Sequence, residues 1–257
     1  MWATFICLPG LFRDGAQGGL KMEERNMKSE IQRNLDQVRS RMLAACLRAR
    51  RAPEEVTLIA VSKKKPVSAI EEAWEAGARH FGENYVQELT EKMQALSRPA
   101  QWHMIGHLQK NKVKYIIGQV AMIHSVDTVS LAEQIEKEAA KAECSVDILL
   151  EVNVAGEETK FGFSAADVLS AASSISVLPH LRLLGLMTSA PYTAEPESNR
   201  LYFRNLREIA YAMRSEGLLA DAGKMPVLSM GMSCDYEVAI EEGATMIRVG
   251  TDIFGER

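Results

Sequence analysis

The sequence predicts an α/β fold in which eight parallel β-strands close into a (β/α)8 TIM barrel. Three observations support this. Strand-like and helix-like segments alternate along most of the chain, and eight strand-like runs fit into about 200 residues. No G-x-G-x-x-G follows the first strand, which disfavours the alternative, an open doubly wound sheet. The strand-like runs are residues 56–62, 79–83, 101–106, 121–126, 146–153, 181–188, 227–231 and 246–250.

Helical patterns fill the intervals between these strands. Apolar residues at three- and four-residue spacing, including Ile31, Leu35 and Val38, predict a helix over 27–51, ahead of the first strand. The eighth strand has no helical pattern of its own after it, so we expect helix 27–51 to cover that strand. The remaining helices are predicted at 67–77, 85–96, 109–118, 129–142, 165–175, 197–216 and 235–243.

Composition excludes several classes of function. The net charge of −4 gives no reason to expect nucleic acid or an anionic membrane as a partner. No apolar run approaches the roughly 18–20 residues of a membrane span. The four cysteines lie far apart without metal-ligand spacing, so we expect no metal site and reduced thiols in a cytoplasmic protein. Residues 1–21 are interpreted as a flexible leader, and 22–257 as a single barrel domain.

The first predicted strand ends in three lysines, Lys63, Lys64 and Lys65. In a (β/α)8 barrel the functional site lies at the carboxyl ends of the strands. Side chains alternate along a strand, so only one of Lys63 and Lys64 can face the barrel interior, and parity does not choose between them. Lys65 precedes a proline and belongs to the turn. An inward lysine is a candidate for Schiff-base chemistry, and a solvated strand exit is the alternative interpretation for all three lysines, including Lys65.

The ends of strands seven and eight are suited to a phosphate group. Ser229, Gly231 and Ser233 lie at the end of strand seven, and Gly250 and Thr251 at the end of strand eight. Barrels often bind phosphate with the loops after these two strands, through backbone N–H groups and a helix N-terminus. Glycines allow close backbone approach, and hydroxyls donate to phosphate oxygens. Ordinary turn chemistry is the alternative explanation.

Several long segments resemble one known family. AVSKKKP, HFGENYVQEL, WHMIGHLQKNK, GEETKFGF and LSMGMSCDYEVAIEEGATMIRVGTDIFG are similar to those of the pyridoxal phosphate homeostasis proteins, whose fold is that of the alanine racemase N-terminal barrel domain. The resemblance covers about residues 28–257. It implies pyridoxal 5'-phosphate (PLP) as cofactor, held by Lys63 as a Schiff base (an aldimine). It also implies these further cofactor-binding residues: Asn84, Met230, Ser233, Arg248, Gly250 and Thr251.

The same resemblance implies a role in PLP homeostasis without catalytic turnover. Arg248 would face the pyridine nitrogen, and because a guanidinium can only donate, it favours the unprotonated nitrogen and weakens the cofactor as an electron sink. Alanine racemase takes a second base, a tyrosine, from a further domain of its partner subunit, and we expect none here. PLP and PLP-requiring apo-enzymes are the implied partners of a monomer. The alternatives are a minimal PLP-dependent amino-acid racemase and an aldolase-like barrel acting on a phosphosugar.

Three further residues near the predicted site are interpreted individually. His107 stands where most of the bacterial family has proline, and it is interpreted as a loop residue and not as a catalytic acid. Lys160 is either a functional cation near the barrel mouth or a solvated loop lysine. Cys234, beside Ser233, is interpreted as an incidental thiol because it opens a predicted helix.

Overall fold

A computed structural model describes residues 28–157, 160–221 and 224–256, so the predicted leader lies outside the described residues. Within them, eight parallel strands pair in chain order, and β8 pairs back with β1 to close the barrel. The prediction of a closed (β/α)8 barrel is therefore confirmed. The strands are β1 (Thr57–Val61), β2 (His80–Glu83), β3 (Gln101–Met104), β4 (Met122–Val126), β5 (Val146–Glu151), β6 (Leu181–Met187), β7 (Val227–Ser229) and β8 (Met246–Val249).

The described residues also form α-helices between and beside the strands. They are α1 (Glu30–Arg48), α2 (Val67–Glu75), α3 (Val86–Ala95), α4 (Val129–Lys141), α5 (Val168–Ile175), α6 (Arg200–Ser215), α7 (Tyr236–Glu241) and α8 (Thr251–Phe254). Short 3-10 helices cover Pro53–Glu55, Lys110–Tyr115 and Pro196–Asn199. None of these helices is long and apolar enough to cross a lipid bilayer.

Helix α1 fills the place in the helical ring that β8 would otherwise leave open. Ser29 caps it by accepting a hydrogen bond from the N–H of Gln32. The helix packs against α7, α8 and α2, and Asn34 donates to the carbonyl of Ile253 in α8. Arg41 forms ion pairs with both Glu237 of α7 and Asp252 of α8. Helix α1 therefore takes the expected place beside the eighth strand, although a single-turn helix that was not predicted, α8, also follows β8.

The segment 109–118 differs from the prediction of an α-helix. Its regular part is the 3-10 helix Lys110–Tyr115, with hydrogen bonds from Lys112 N–H to the Gln109 carbonyl and from Ile116 N–H to the Val113 carbonyl. Asparagine and a β-branched valine in a short segment are weak helix formers, so the tighter turn competes well.

The barrel interior is apolar at one end and polar toward the other. A separate cluster is built on Met122, Leu149 and Met187, and it includes the first residues of β4, β7 and β8. Farther along the strands, the inward side chains become polar and include the buried His103, His124 and Arg248. The main hydrophobic core lies between the sheet and the helices. This arrangement closes one end of the barrel and leaves functional groups at the other, which we call the barrel mouth.

Candidate binding site at the barrel mouth

A cavity of about 500 Å³ opens at the barrel mouth. It lies among the carboxyl ends of the strands, where the site of a (β/α)8 barrel is expected. Six of the seven residues selected from the sequence line it, namely Lys63, Asn84, Ser233, Arg248, Gly250 and Thr251. Met230, the seventh residue, does not line the cavity. Its side chain is fully buried in the hydrophobic core and its N–H donates to the Met246 carbonyl, so it offers the cavity neither a side chain nor a backbone donor.

The three lysines after β1 have three different environments. Val61 and Lys63 both line the cavity, so this face of β1 is the inward one. Lys64 is exposed and has a left-handed backbone with φ of 61°, which turns the chain sharply after Lys63. Its N–H donates to the Glu88 carboxylate, which holds the turn.

Lys65 is not part of a solvated exit, and that interpretation is wrong for this residue. Its ammonium donates to the carbonyls of Phe254, Gly255 and Glu256 at 2.8, 3.2 and 2.9 Å. These carbonyls belong to the last residue of α8 and to the two residues after it. Carbonyls at the carboxyl end of a helix lack partners within the helix, and a lysine there is electrostatically favourable. The turn that presents Lys63 is thus tied to the last turn of the described chain.

A buried ion pair supports the same turn from behind. The Lys92 ammonium of α3 donates to Glu83 Oε1 at 2.8 Å, to Glu88 Oε1 at 2.7 Å and to the Ser62 carbonyl at 2.6 Å. Ser62 Oγ also donates to Glu83 Oε1 at 2.6 Å. Burial raises the pKa of Glu83, and the hydrogen bonds from Lys92 and Ser62 oppose that rise. Sequence analysis missed Lys92, although its i,i+4 spacing to Glu88 was a visible signal.

Arg248 of β8 lies at the floor of the cavity. Its Nη1 donates to Ser229 Oγ at 2.7 Å, and its Nη2 donates to the Thr188 carbonyl at 2.8 Å and to Ser189 Oγ at 3.5 Å. Burial lowers the pKa of Arg248 to about 10, and the charges of Glu151 and Asp235 oppose the change. The guanidinium therefore stays protonated at neutral pH and keeps further N–H donors for the cavity.

The loops after β7 and β8 supply donors on one side of the cavity. Ser233 Oγ accepts from the N–H groups of Gly250 and Asp252 at 3.4 and 3.5 Å, and its hydroxyl also hydrogen-bonds the Asp252 carboxylate. A Cβ at Gly250 would lie 3.3 Å from the Val61 carbonyl oxygen. The glycine therefore keeps this wall open, and the hydroxyls and backbone N–H groups suit an anion such as phosphate.

Asn84 presents a buried oxygen that lacks a hydrogen-bond donor. Its Oδ1 is inaccessible to solvent and has no partner among the described residues. A Cβ at Gly106 would lie only 2.6 Å from the Asn84 Cα, so this glycine is what lets the Asn84 backbone sit so close. Asn84 as a residue lines the cavity, so its amide lies within reach of a bound molecule although this oxygen is not exposed.

Other cavity residues were not selected from the sequence. Ser189 and Tyr192 come from the segment after β6. Cys234 also lines the cavity, and burial raises the pKa of its thiol, with the charge of Asp235 acting in the same direction. A protonated thiol is a poor nucleophile, in keeping with the interpretation of Cys234 as incidental.

His107 and Lys160 lie beside the main cavity. His107 Nδ1 is 2.8 Å from Asp127 Oδ2, and its ring stacks on Phe161 with centroids 3.9 Å apart. Lys160 donates to the Ser189 carbonyl at 3.2 Å and lines a neighbouring cavity of about 170 Å³ with Glu151. Burial raises the pKa of Glu151 to about 7, with Arg248 opposing the rise.

The closed barrel, with a lysine after β1 and an arginine on β8, defines the class of alanine-racemase-like barrels. Residues 29–257 match the family described as "Alanine racemase, N-terminal domain". A protein of Aquifex aeolicus named "Pyridoxal phosphate homeostasis protein" is 46% identical over 224 residues, which cover 87% of this chain and 96% of that protein. The chain therefore belongs to the alanine racemase N-terminal domain family and, within it, to the pyridoxal phosphate homeostasis proteins.

Solved structures agree with this assignment. The structure of PipY of Synechococcus elongatus, with PLP bound, has a TM-score of 0.76 and 35% sequence identity, covering 88% of this chain and 100% of PipY. An alanine racemase of Clostridium difficile has a TM-score of 0.70 at 12% identity, covering 89% of this chain and 57% of the racemase. That second likeness shows the fold alone.

Proposed function

We propose that the protein binds PLP and acts in PLP homeostasis, holding the cofactor covalently through Lys63 without turning over a substrate. One observation carries the proposal: a single cavity brings together Lys63, the buried Arg248 and the donor-rich loop at Ser233 and Gly250. The chain is also 35% identical to PipY, whose structure contains PLP. An amine, a guanidinium and an anion site are the three groups that an aldehyde-bearing pyridine phosphate requires.

Each group has a separate role in the proposed site. When bound, PLP supplies an aldehyde that an amine can attack and an electron-withdrawing pyridine ring. Lys63 provides the amine, while the cavity wall formed by Ser233, Gly250 and Thr251 holds the phosphate. Asn84, which also lines the cavity, lies beside the cofactor.

Arg248 limits the reactions that the proposed site would support. It is a buried cation with a pKa of about 10, and its N–H groups can only donate. A donor facing the pyridine nitrogen favours the unprotonated ring, which withdraws electrons more weakly than a protonated one. Decarboxylation and transamination are poorly served by such a site, racemisation needs only modest carbanion stabilisation, and storage of the cofactor needs none.

The covalent link is tested by borohydride reduction of the PLP-loaded protein, followed by peptide mass spectrometry. We expect one reduced phosphopyridoxyl adduct, on Lys63. Lys63→Arg should abolish both the adduct and the visible absorbance of the bound cofactor. Lys64→Arg, one residue away and exposed, is the matched control and should retain both. An adduct on another lysine, or unchanged absorbance in Lys63→Arg, would contradict the assignment.

A minimal amino-acid racemase is the second candidate, and one observation favours it. Glu151, with a pKa of about 7, is an acid–base group beside the mouth, in a cavity that shares Ser189 with the main one. A racemase exchanges the substrate α-proton with solvent, so incubation with L- and D-amino acids in D2O should label the α-carbon. No label in any amino acid of the panel would exclude this candidate and leave the storage role.

We also propose that residues 22–257 form one domain that works as a cytoplasmic monomer and passes PLP to PLP-requiring apo-enzymes. Sedimentation of the PLP-loaded protein should give a single species of about 28.5 kDa. Mixing it with such an apo-enzyme should restore that enzyme's activity while the visible absorbance of the donor falls. No transfer beyond the rate of spontaneous PLP release would contradict the delivery role.

A further inference from the structure

Beneath the cavity, three imidazoles form a continuous hydrogen-bonded row. His80 Nδ1 is 3.0 Å from His103 Nε2, and His103 Nδ1 is 2.9 Å from His124 Nε2. His124 Nδ1 is 2.9 Å from Ser229 Oγ, which accepts from Arg248 at 2.7 Å. We call these five residues the histidine row. It connects the cavity floor with the amino end of β2.

The barrel geometry explains how distant residues meet in this row. His103 is the register partner of Gly82, two residues beyond His80 on β2. His124 lies two residues beyond Met122, the register partner of His103. The staggered strands of a barrel therefore place the three side chains on a diagonal of the inner surface.

The row reaches Arg248 by the same geometry. Arg248 lies two residues beyond Met246, which is the register partner of Ser229. The contact between His124 of β4 and Ser229 of β7 crosses the barrel interior. Five strands thus contribute one residue each.

Arg248 fixes the direction of every hydrogen bond in the row. A guanidinium only donates, so Ser229 Oγ accepts from Arg248, and the hydrogen of this fully buried hydroxyl is satisfied when His124 Nδ1 accepts it. His124 Nδ1 then carries no proton, so its Nε2–H donates to His103 Nδ1. By the same step His103 donates from Nε2 to His80 Nδ1. All three rings are therefore neutral Nε2–H tautomers.

Burial supports this proton arrangement. His124 is fully buried and His103 is 2% exposed. Desolvation lowers the pKa of His103 to about 3, and it lowers the pKa of His124 far below its usual range, with the neighbouring ring and Arg248 adding to the effect. Desolvation also lowers the pKa of the half-buried His80. Neutral rings can both donate and accept, which the row requires of its two inner members.

Burying the histidine row costs folding free energy that an apolar barrel interior would not cost. Barrel interiors are usually filled by branched apolar side chains, and buried imidazoles must be paired to be tolerated. Ser229 explains why the pairing continues, since a hydroxyl that accepts from Arg248 leaves its own hydrogen unsatisfied unless His124 accepts it. Each ring that accepts a hydrogen bond at one nitrogen carries its proton on the other nitrogen, and that N–H needs an acceptor in turn.

We propose that His124, His103 and His80 are positioning residues for Arg248, acting as a one-directional hydrogen-bond relay that holds the guanidinium at the cavity floor. The relay itself does not depend on what occupies the cavity. Only its consequence for the cofactor rests on the proposed PLP site. The relay gives the Ser229 hydrogen a fixed acceptor, so the Ser229 oxygen stays oriented toward Arg248 and the guanidinium presents its remaining N–H groups in one orientation.

The relay is tested first in the PLP-free protein. Long-range ¹H–¹⁵N NMR of labelled imidazoles reports which ring nitrogen carries the proton. We expect the Nε2–H form for all three rings of the row. His80→Phe removes the last acceptor, so His103 should populate its second tautomer and the signals of His124, one ring farther, should shift. A histidine of the row in the Nδ1–H form, or His124 signals unchanged in His80→Phe, would overturn the proposal.

Two variants separate the relay from simple packing. His80→Asn places an amide oxygen near the position of Nδ1, and should restore the wild-type His124 signals that His80→Phe loses. Ser125→Ala removes a buried hydroxyl from β4, one residue from His124, without touching the row, and should leave all three tautomers unchanged. Equal changes in His80→Asn and His80→Phe would indicate packing alone and refute the relay.

The consequence for the cofactor is measured separately. With PLP added, His124→Phe should shift the absorbance maximum of the bound cofactor and weaken PLP binding by about fivefold, the effect of one lost hydrogen bond. Correct tautomers together with unchanged absorbance and affinity would refute the positioning role. If the wild-type protein binds no PLP, the proposed function fails, while the NMR result still decides the relay.

Discussion

The buried Lys92 offers a sharp test of how the Lys63 turn is supported. Its side chain is 6% exposed and that of Glu83 is fully buried. The ammonium uses its three hydrogens on three acceptors, the carboxylates of Glu83 and Glu88 and the carbonyl of Ser62. Lys92→Met keeps most of the side-chain volume and removes the charge, so Glu83 is left as a buried carboxylate with only Ser62 as donor.

Breaking a buried pair in this way costs about 3–5 kcal/mol of unfolding free energy. For a chain of this length, each kcal/mol lowers Tm by roughly 2–4 °C, so we expect a decrease of roughly 6–20 °C. Urea unfolding gives the free energy and thermal unfolding gives Tm. Lys141→Met removes a lysine that also pairs with a helical glutamate but is 58% exposed, and this control should lose less than about 1 kcal/mol.

Two further measurements identify the cause. The double variant Glu83→Gln/Lys92→Met removes both charges and should recover much of the lost stability, because the penalty comes from an unpaired charge. Without Lys92, the already raised pKa of Glu83 rises further. Since the protonated carboxyl is the form that burial tolerates, the deficit of Lys92→Met should shrink as pH falls. A loss below about 1 kcal/mol, or a double variant no better than the single one, would refute the reasoning.

Three other outcomes are expected. The pKa of Glu151 is about 7 in the folded protein against 4.5 in the unfolded chain. The free energy of unfolding should therefore fall by at most about 3 kcal/mol as pH rises between these two values. In urea unfolding, Glu151→Gln should lose this dependence on pH. Gly106→Ala should lower unfolding free energy by about 1–3 kcal/mol and weaken PLP binding, since its Cβ would meet the Asn84 backbone at 2.6 Å; unchanged binding would contradict this. Lys65→Met should cost about 1–2 kcal/mol through its lost carbonyl contacts, whereas the exposed Lys64→Met should cost little.

The barrel was predictable because each element carries a local signal. Apolar β-rich runs such as 56–62 became strands within a residue or two, and closure followed from their number. The segment 109–118 was harder, because α and 3-10 turns share a similar apolar spacing and differ in hydrogen bonds that the sequence does not display. Local sequence patterns therefore predicted where the helices and strands lie better than they predicted which kind of helix forms.

The candidate site was predictable only in part. Strand parity left Lys63 and Lys64 equivalent, and the family resemblance chose between them; the structure places Lys63 in the cavity wall. The histidine row could not be foreseen, because His80, His103 and His124 lie on separate strands and meet only through the stagger of the closed sheet. Strand register depends on the whole closed barrel, so no local sequence pattern predicts it.

The bonds from Lys65 to the carbonyls of Phe254, Gly255 and Glu256 have a consequence for local motion. They join the first strand's exit to the last turn of the described chain, nearly 190 residues away in sequence. Segments linked in this way open together in amide hydrogen exchange and share one opening free energy. A molecule that orders the turn around Lys63 should therefore slow exchange in the final turn as well, so the far end of the chain would report occupancy of the barrel mouth.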